Sequence, residues 1–424
     1  MYKILSNAVI YGVSGSFVAL VPLVLLPFMT RTLSQADYGI AVFFSAMLTM
    51  VLPIIGFGAI NAISVRYFQL KKTHFNTYLW SGFTVLLVSV VIILTLGFIL
   101  FSYALDVSII PLSWVLLGLM TASFWAVSQA CGTLLIAKKM PNKYLSINLT
   151  IGSITILFTM VSISFFDFTW KGFALGLFFG HFVAALLSIY ILLLSNPLAK
   201  PATEYCIDSL KFGAPIMLHS IAMSLISYFD RLIISNSLGV EELARYAVAF
   251  QLAIILSFVA QAFNKAFVPW LYENLRNGSE DAQIKIVRGT YLVFFGIVVS
   301  TVIFCFILKF LILFIAGAQY LDTYPLAIII AIGGAFNAAY LMVVNYIFYA
   351  GKTVTLSLVS VTVASIFICT SLYLVPRYGL QGAATAFLIS NALLFISIWY
   401  VAAKSYSMPW FSRKVFLRIN RVVS

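Results

Sequence analysis

The sequence predicts an all-α polytopic membrane protein: about 12 transmembrane helices in two pseudo-symmetric six-helix bundles, with both termini cytoplasmic. Three observations predict it. First, 63% of the 424 residues are hydrophobic and 9% are charged, and the mean hydropathy is +1.08. A water-soluble fold of this size must clothe itself in polar groups, and this chain has too few. Second, the charges avoid about a dozen apolar stretches of roughly 20 residues, the length that crosses a hydrocarbon core of about 30 Å at about 1.5 Å per residue. Third, 18 of the 25 lysines and arginines fall on one alternate set of loops, while Arg31, Lys171, Arg245 and Arg377 occupy the other. Basic residues stay on the cytoplasmic side during insertion, so this bias sets the orientation. The net charge of +13 is then a topology signal and requires no nucleic-acid partner.

Spans are expected at roughly 8–29, 38–58, 76–103, 109–137, 146–166, 173–194, 213–236, 246–268, 290–315, 325–350, 354–375 and 382–403. The first is longer than the apolar core of a cleavable leader and reads as a retained helix. The stretch 85–100 is apolar all round, unlike the alternating strands of a membrane barrel. Pro22, Pro27, Pro53, Gly56, Gly58, Pro215 and Gly333-Gly334 interrupt spans and mark positions where helices bend. The longest polar stretches, near 195–211 and 272–288, are too short to fold as a soluble domain. The tail, 404–424, places Phe411, Val415, Ile419 and Val422 at helical spacing, with Lys414, Arg418 and Arg421 on another face. This predicts a basic amphipathic helix suited to an anionic leaflet of membrane lipids.

Weak internal similarity supports the two halves, drawn as 1–200 and 201–403. Gly172-Phe173-Ala174-Leu175-Gly176 resembles Gly382-Ala383-Ala384-Thr385-Ala386, and the same offset places Tyr190 on Tyr400. The stretch 33–38 (LSQADY) resembles 238–246 (LGVEELARY) with a three-residue insertion. Two halves of equal orientation are common in secondary transporters, with the substrate path between them.

The scattered Cys131, Cys206, Cys305 and Cys369 have no spacing for a disulfide framework or a zinc site. Gly351-Lys352-Thr353 resembles the end of a phosphate-binding loop, but Tyr346 stands where that loop needs glycine, so ATP is not expected. Neither H-E-x-x-H nor G-x-S-x-G occurs, and no cofactor or enzyme activity is expected. The candidate functional groups are ionisable residues within or at the mouths of spans, where charge is costly. Arg31, Arg66, Arg231, Lys265 and Lys309 could line a cationic path for an anionic cargo such as a phosphate. Asp230, His181 and His219 are candidates for ion coupling. Asp230 and Arg231 are neighbours late in the seventh span, about 100° apart on the helix, so one of them is expected to face a cavity.

Several stretches carry a family resemblance. The loop 31–39 (RTLSQADYG) resembles the element after helix one of Wzx-type O-antigen flippases. The stretch 230–239 (DRLIISNSLG), followed by Tyr246, resembles an element of their helix seven, and 266–272 (AFVPWLY) resembles the end of their helix eight. These proteins belong to the multidrug/oligosaccharidyl-lipid/polysaccharide (MOP) superfamily. The resemblance implies a MOP-type fold in a bacterial inner membrane. It also implies transport of an undecaprenyl-pyrophosphate-linked oligosaccharide by alternating access, alongside a glycan polymerase and a chain-length regulator as possible partners. A multidrug or small-molecule cation antiporter of the superfamily is an alternative, although such proteins often carry an acid in helix one and this span has none. A lipid II flippase would add two helices. A major-facilitator transporter would place its Asp-Arg element in the second loop. A membrane glycan polymerase or ligase, the alternative from another class, would carry a large catalytic loop that is missing here.

Overall fold

A computed structural model describes residues 2–103, 109–277, 279–410 and 412. The described residues form helices and short connections, with no strand among them. In chain order the helices are α1 (Tyr2–Thr32), α2 (Gln35–Val51), α3 (Ala59–Gln69), α4 (Lys72–Tyr103), α5 (Leu112–Ala137), α6 (Pro141–Phe166) and α7 (Thr169–Ser195). There follow α8 (Thr203–Ser237), α9 (Val240–Ala253), α10 (Ile255–Asn277), α11 (Glu280–Leu311), α12 (Tyr324–Tyr349) and α13 (Thr353–Ser405). Ten helical stretches among the described residues are long and apolar enough to cross a membrane, and α1 adds the shorter apolar run Phe17–Thr32. The long α13 holds two of the expected spans in one run, broken at Gly379 (φ 57°, ψ −139°). The protein is thus an all-α, multi-pass membrane protein, as its hydropathy dictates.

The chain packs as two compact units, Met1–Ala247 and Val248–Ser424. In the first, α6 and α7 pair through small residues. A Cβ on Gly176 would overlap the Thr159 hydroxyl, and one on Gly180 would overlap that of Thr155. Bare glycines let the two backbones approach closely, which is how helices associate where lipid removes the hydrophobic drive. The α5 helix packs on α7, and α1 packs on α6.

The second span is not continuous. Between α2 and α3 the 3₁₀ turn Leu52–Gly58 leaves helical geometry at Ile55, Gly56 and Phe57, with φ of 78° at Gly56 and 48° at Phe57. Ser89 on α4 accepts the freed Gly56 N–H at 2.7 Å, so this broken backbone is satisfied inside the protein. Gly58 (φ 75°) lies against Gly213 of α8, where a Cβ on either residue would overlap the other's backbone. Of the expected bends, Pro53, Gly56 and Gly58 therefore mark a true break, while Pro22, Pro27 and Pro215 sit inside continuous helices. Gly333 and Gly334 also stay helical and make room for Phe387 and Ser257.

In the second unit α12 packs against α10, α11 and α13. Asn345 donates to Asn264 at 2.8 Å and Asn337 to Asn391 at 3.2 Å, so the amides satisfy one another between helices. The chain leaves helical geometry at Tyr406, and Phe411, Val415, Ile419 and Val422, the apolar face expected of the tail helix, lie outside the described residues. Tyr291 donates to the Trp410 carbonyl at 2.7 Å, and the Trp410 ring lies within aromatic contact of Tyr291, Tyr346 and Trp399. Amphipathic aromatic rings therefore seat residues 406–410 instead of a helical continuation. Lys414, Arg418 and Arg421 lie outside the described residues.

Candidate functional site

Two ion-pair clusters of the first unit form along α8, and the sequence explains the frame of each. Asp208 lies near the start of α8. The preceding linker is strapped across α4: the Trp80 indole donates to the Pro197 carbonyl at 2.9 Å, Asn76 donates to the same carbonyl, and Ser81 accepts the Ala202 N–H at 2.9 Å. Lys138, just past α5, donates to Asn196 at 2.9 Å. Its burial lowers the pKa of the ammonium, with Lys143 and Lys72 pushing the same way.

With α8 so positioned, Arg66 from the last turn of α3 meets Asp208 as a two-pronged fork, with Nε at 3.0 Å and Nη2 at 2.7 Å. A third donor reaches Gln69 at 2.6 Å, and the Tyr78 hydroxyl donates to Asp208 at 3.0 Å. The guanidinium lies 5.8 Å from the Phe212 ring centroid. The side chains of Arg66 and Asp208 are 28% and 37% exposed, so the pair is reachable from solvent. Asp208 was not expected from the sequence. The available signal was one of two carboxylates, with Glu204, between Lys200 and Lys211 in the polar stretch 195–211, and its partner lies 142 positions away in the chain.

The second cluster lies roughly 33 Å further along α8 at about 1.5 Å per residue. Asp230 and Arg231 pair at 3.0 Å. Their Cβ directions diverge as expected for neighbours, but the long arginine folds back, donating to the Ser227 carbonyl at 2.5 Å and to Asp230. Its guanidinium lies 4.8 Å from the Tyr228 ring centroid and 5.9 Å from that of Tyr246. Tyr246 on α9 donates to the second oxygen of Asp230. Asp230 is wholly buried and Arg231 is 6% exposed. Contrary to the expectation that one of the two faces a cavity, both are enclosed. A buried charge must be compensated on all sides, and paired donors and aromatic faces do so here.

These contacts account for the resembling stretches. In 31–39, the Ser34 hydroxyl caps α2 by accepting the Asp37 N–H at 3.1 Å and itself donates to the Asp37 carboxylate at 2.7 Å. Tyr38 is buried, and Gly39 has no side chain because the Val240 carbonyl of α9 occupies that space. The start of α2 and the start of α9 therefore meet in the folded unit.

The remaining candidates are dispersed. Arg31 is exposed at the end of α1, and Lys309 is exposed in the last turn of α11. Lys265 lies on α10, but its side chain is outside the described set. His181 on α7 is buried, its ring stacked on Trp125 at 4.9 Å with a 21° interplanar angle. Its Nδ1 has no hydrogen-bond partner among the described residues. His219 is half-buried on α8. Arg66 and Arg231 lie near opposite ends of α8 and form separate sites. No cluster of metal-ligating side chains occurs among the described residues.

The fold and sequence match known proteins along nearly the whole chain. The solved structure "Lipid II flippase MurJ, inward closed conformation" superposes with a TM-score of 0.72 at 16% identity, covering 93% of this chain and 87% of that one. An outward-facing multidrug resistance MATE family transporter of the MOP superfamily superposes with a TM-score of 0.64 at 14% identity, covering 95% of each chain. At such identities the likeness concerns the fold. Among relatives, the Lsg locus putative protein 1 of Haemophilus influenzae is 26% identical over 399 residues, 90% of this chain and 95% of that protein. A putative O-antigen transporter of Shigella flexneri is 26% identical over 239 residues, 54% of this chain and 56% of that protein. The profile of the family described as "Polysaccharide biosynthesis protein" matches residues 4–275. On a MOP-type fold, with that match over more than half its length, the chain belongs to the polysaccharide biosynthesis protein family.

Proposed function

We propose that this protein is a flippase that carries an undecaprenyl-pyrophosphate-linked oligosaccharide repeat unit, O-antigen-like, from the cytoplasmic to the periplasmic leaflet of a bacterial inner membrane by alternating access. The observation that carries this reading is the family match over residues 4–275 on a fold shared with a lipid-linked-precursor flippase. The relative named for O-antigen transport supports the same cargo class. The six-plus-six division at residue 200 and the cytoplasmic placement of both termini belong to this reading, as do a glycan polymerase and a chain-length regulator as partners.

Within it, Arg66 is the favoured cation for the pyrophosphate. Its fork is already shaped for a bidentate oxyanion, and Asp208 holds it in that geometry while leaving it about a quarter exposed. Arg31, Lys265 and Lys309 are proposed as further cations of the path. Arg231 serves mainly to neutralise Asp230. Asp230, His181 and His219 are the proposed residues for ion coupling.

The test is made in a deletion strain of the source bacterium, scoring surface polysaccharide and the sidedness of single lipid-linked units together. Units trapped on the cytoplasmic face, with surface glycan lost, are expected. Units that cross but stay unpolymerised would instead indicate an enzyme of the outer face. A strain with normal glycan would shift the assignment to small-molecule export, which the MATE fold also serves.

A further inference from the structure

Outside the clusters on α8, the second unit carries a cavity of about 600 Å³ at the end of α10 and the start of α11. Trp270, Glu273, Asn274, Arg276 and Lys285 line it. The size falls within the range of small-molecule sites, roughly 300–1,000 Å³. We propose that this cavity docks a glycosyl diphosphate, with the indole against the sugar ring and the two cations on the diphosphate.

The side chains divide into the three functions such a ligand needs. Arg276 and Lys285 are exposed, and among the described residues neither is held in an ion pair. Cations left uncommitted at a cavity wall are available to phosphate oxygens. Trp270 is backed by Phe267, with ring centroids 5.5 Å apart and planes 36° apart. Gly289 carries no side chain against the indole, where a Cβ would lie 3.6 Å from it. The indole supplies a flat apolar surface of the kind sugars stack on, with an N–H at its edge. The Asn274 amide donates to the Trp270 carbonyl at 2.7 Å, which fixes the side chain and leaves its oxygen as an acceptor. That oxygen and the Glu273 carboxylate suit sugar hydroxyls. A carboxylate beside the cations is out of place in a site for a bare anion, whereas it fits a ligand with both phosphates and hydroxyls.

The inference rests on the flippase reading and on its topology, which places Arg276 and Lys285 on the cytoplasmic face. Two sources present this chemistry there: a membrane-borne polyprenyl diphosphate glycan and a soluble nucleotide-linked sugar.

The experiment uses the full chain in phosphatidylcholine nanodiscs, titrated with inorganic diphosphate, with UDP-glucose, and with nanodiscs doped with a polyprenyl diphosphate disaccharide. The wild-type protein is expected to bind at least one of the two glycosyl probes. Arg276→Ala with Lys285→Ala should weaken that binding by about tenfold or more, and Arg276→Lys with Lys285→Arg should restore most of it. Trp270→Leu should weaken the glycosyl probes more than inorganic diphosphate. Preference for the doped discs identifies the membrane-borne source, and preference for UDP-glucose the soluble one. Unchanged affinities in the double alanine variant overturn the site, as does a wild-type protein that binds neither glycosyl probe. If the double alanine variant loses binding but flips lipid-linked units normally in cells, docking for transport is overturned while the flippase reading stands. The deletion-strain result decides the flippase reading separately.

Discussion

The two ends of α8 hold the same chemistry in different surroundings. Each has one aspartate, one arginine and one tyrosine hydroxyl that donates to the aspartate: Asp208, Arg66 and Tyr78 at one end, Asp230, Arg231 and Tyr246 at the other. At the first the charged side chains are about one-third exposed, and at the second they are sealed. The difference teaches that burial, not residue type, decides what a triad can do. A sealed triad cannot admit an oxyanion without opening its surroundings, and its tyrosine ties α8 to α9. The half-exposed triad keeps its geometry and can still exchange one carboxylate for another oxyanion.

The largest effect expected from this contrast is at the sealed pair. Arg231→Ala should strand the buried Asp230 carboxylate and cost about 3–5 kcal/mol. The check is thermal unfolding of the purified protein in detergent, and an unchanged midpoint would break the comparison. Replacing both members with neutral residues of similar volume should cost less than the single change, because no unpaired charge remains.

Next in size is Gly213→Val, which forces a side chain into the Gly58 backbone where the broken span crosses α8. Overpacking of this kind costs about 1–3 kcal/mol, read in the same unfolding assay. Gly239, unlike Gly213, has positive φ, and nothing lies within 4 Å of its would-be Cβ, so Gly239→Ala should cost backbone strain alone and less overall. Third, Tyr246→Phe removes the hydroxyl from one Asp230 oxygen and should cost about 1–3 kcal/mol, the scale of an unsatisfied buried acceptor.

The smallest stability effect is expected at the exposed triad. Asp208→Asn should change stability by no more than about 1 kcal/mol, because solvent screens a pair this accessible. The partner residue sharpens the comparison in another way. If Arg66 serves the cargo, Arg66→Ala should reduce flipping far more than it lowers stability, with lipid-linked units accumulating on the cytoplasmic face. Equal losses of stability and flipping at Arg66 would make the two triads alike and remove its proposed role.

Much of this is legible in the sequence. Pro53, Gly56 and Gly58 announced a break, because proline lacks an N–H and glycine tolerates positive φ, and the break occurs there. Asp230 and Arg231 drew notice because charge within a span is costly. Their enclosure was not readable, since it depends on Tyr246, Tyr228 and the bend of one flexible side chain. The resembling loop 31–39 was visible as a pattern, but its meaning as a helix cap beside a close-packed glycine appeared only once Val240 lay against Gly39.

The sequence by itself determined where the apolar spans lie, because each span depends only on local hydropathy measured against the lipid as solvent. The tertiary structure alone decided which helix faces meet. That choice set Asp208 on Arg66 across 142 positions and Gly58 on Gly213. It also laid the Gly176 and Gly180 backbone against Thr159 and Thr155. The physical reason is that lipid satisfies any apolar face equally well. Partners are therefore chosen by close backbone approach and by the need of buried polar groups for one another, and both are properties of distant residues brought together.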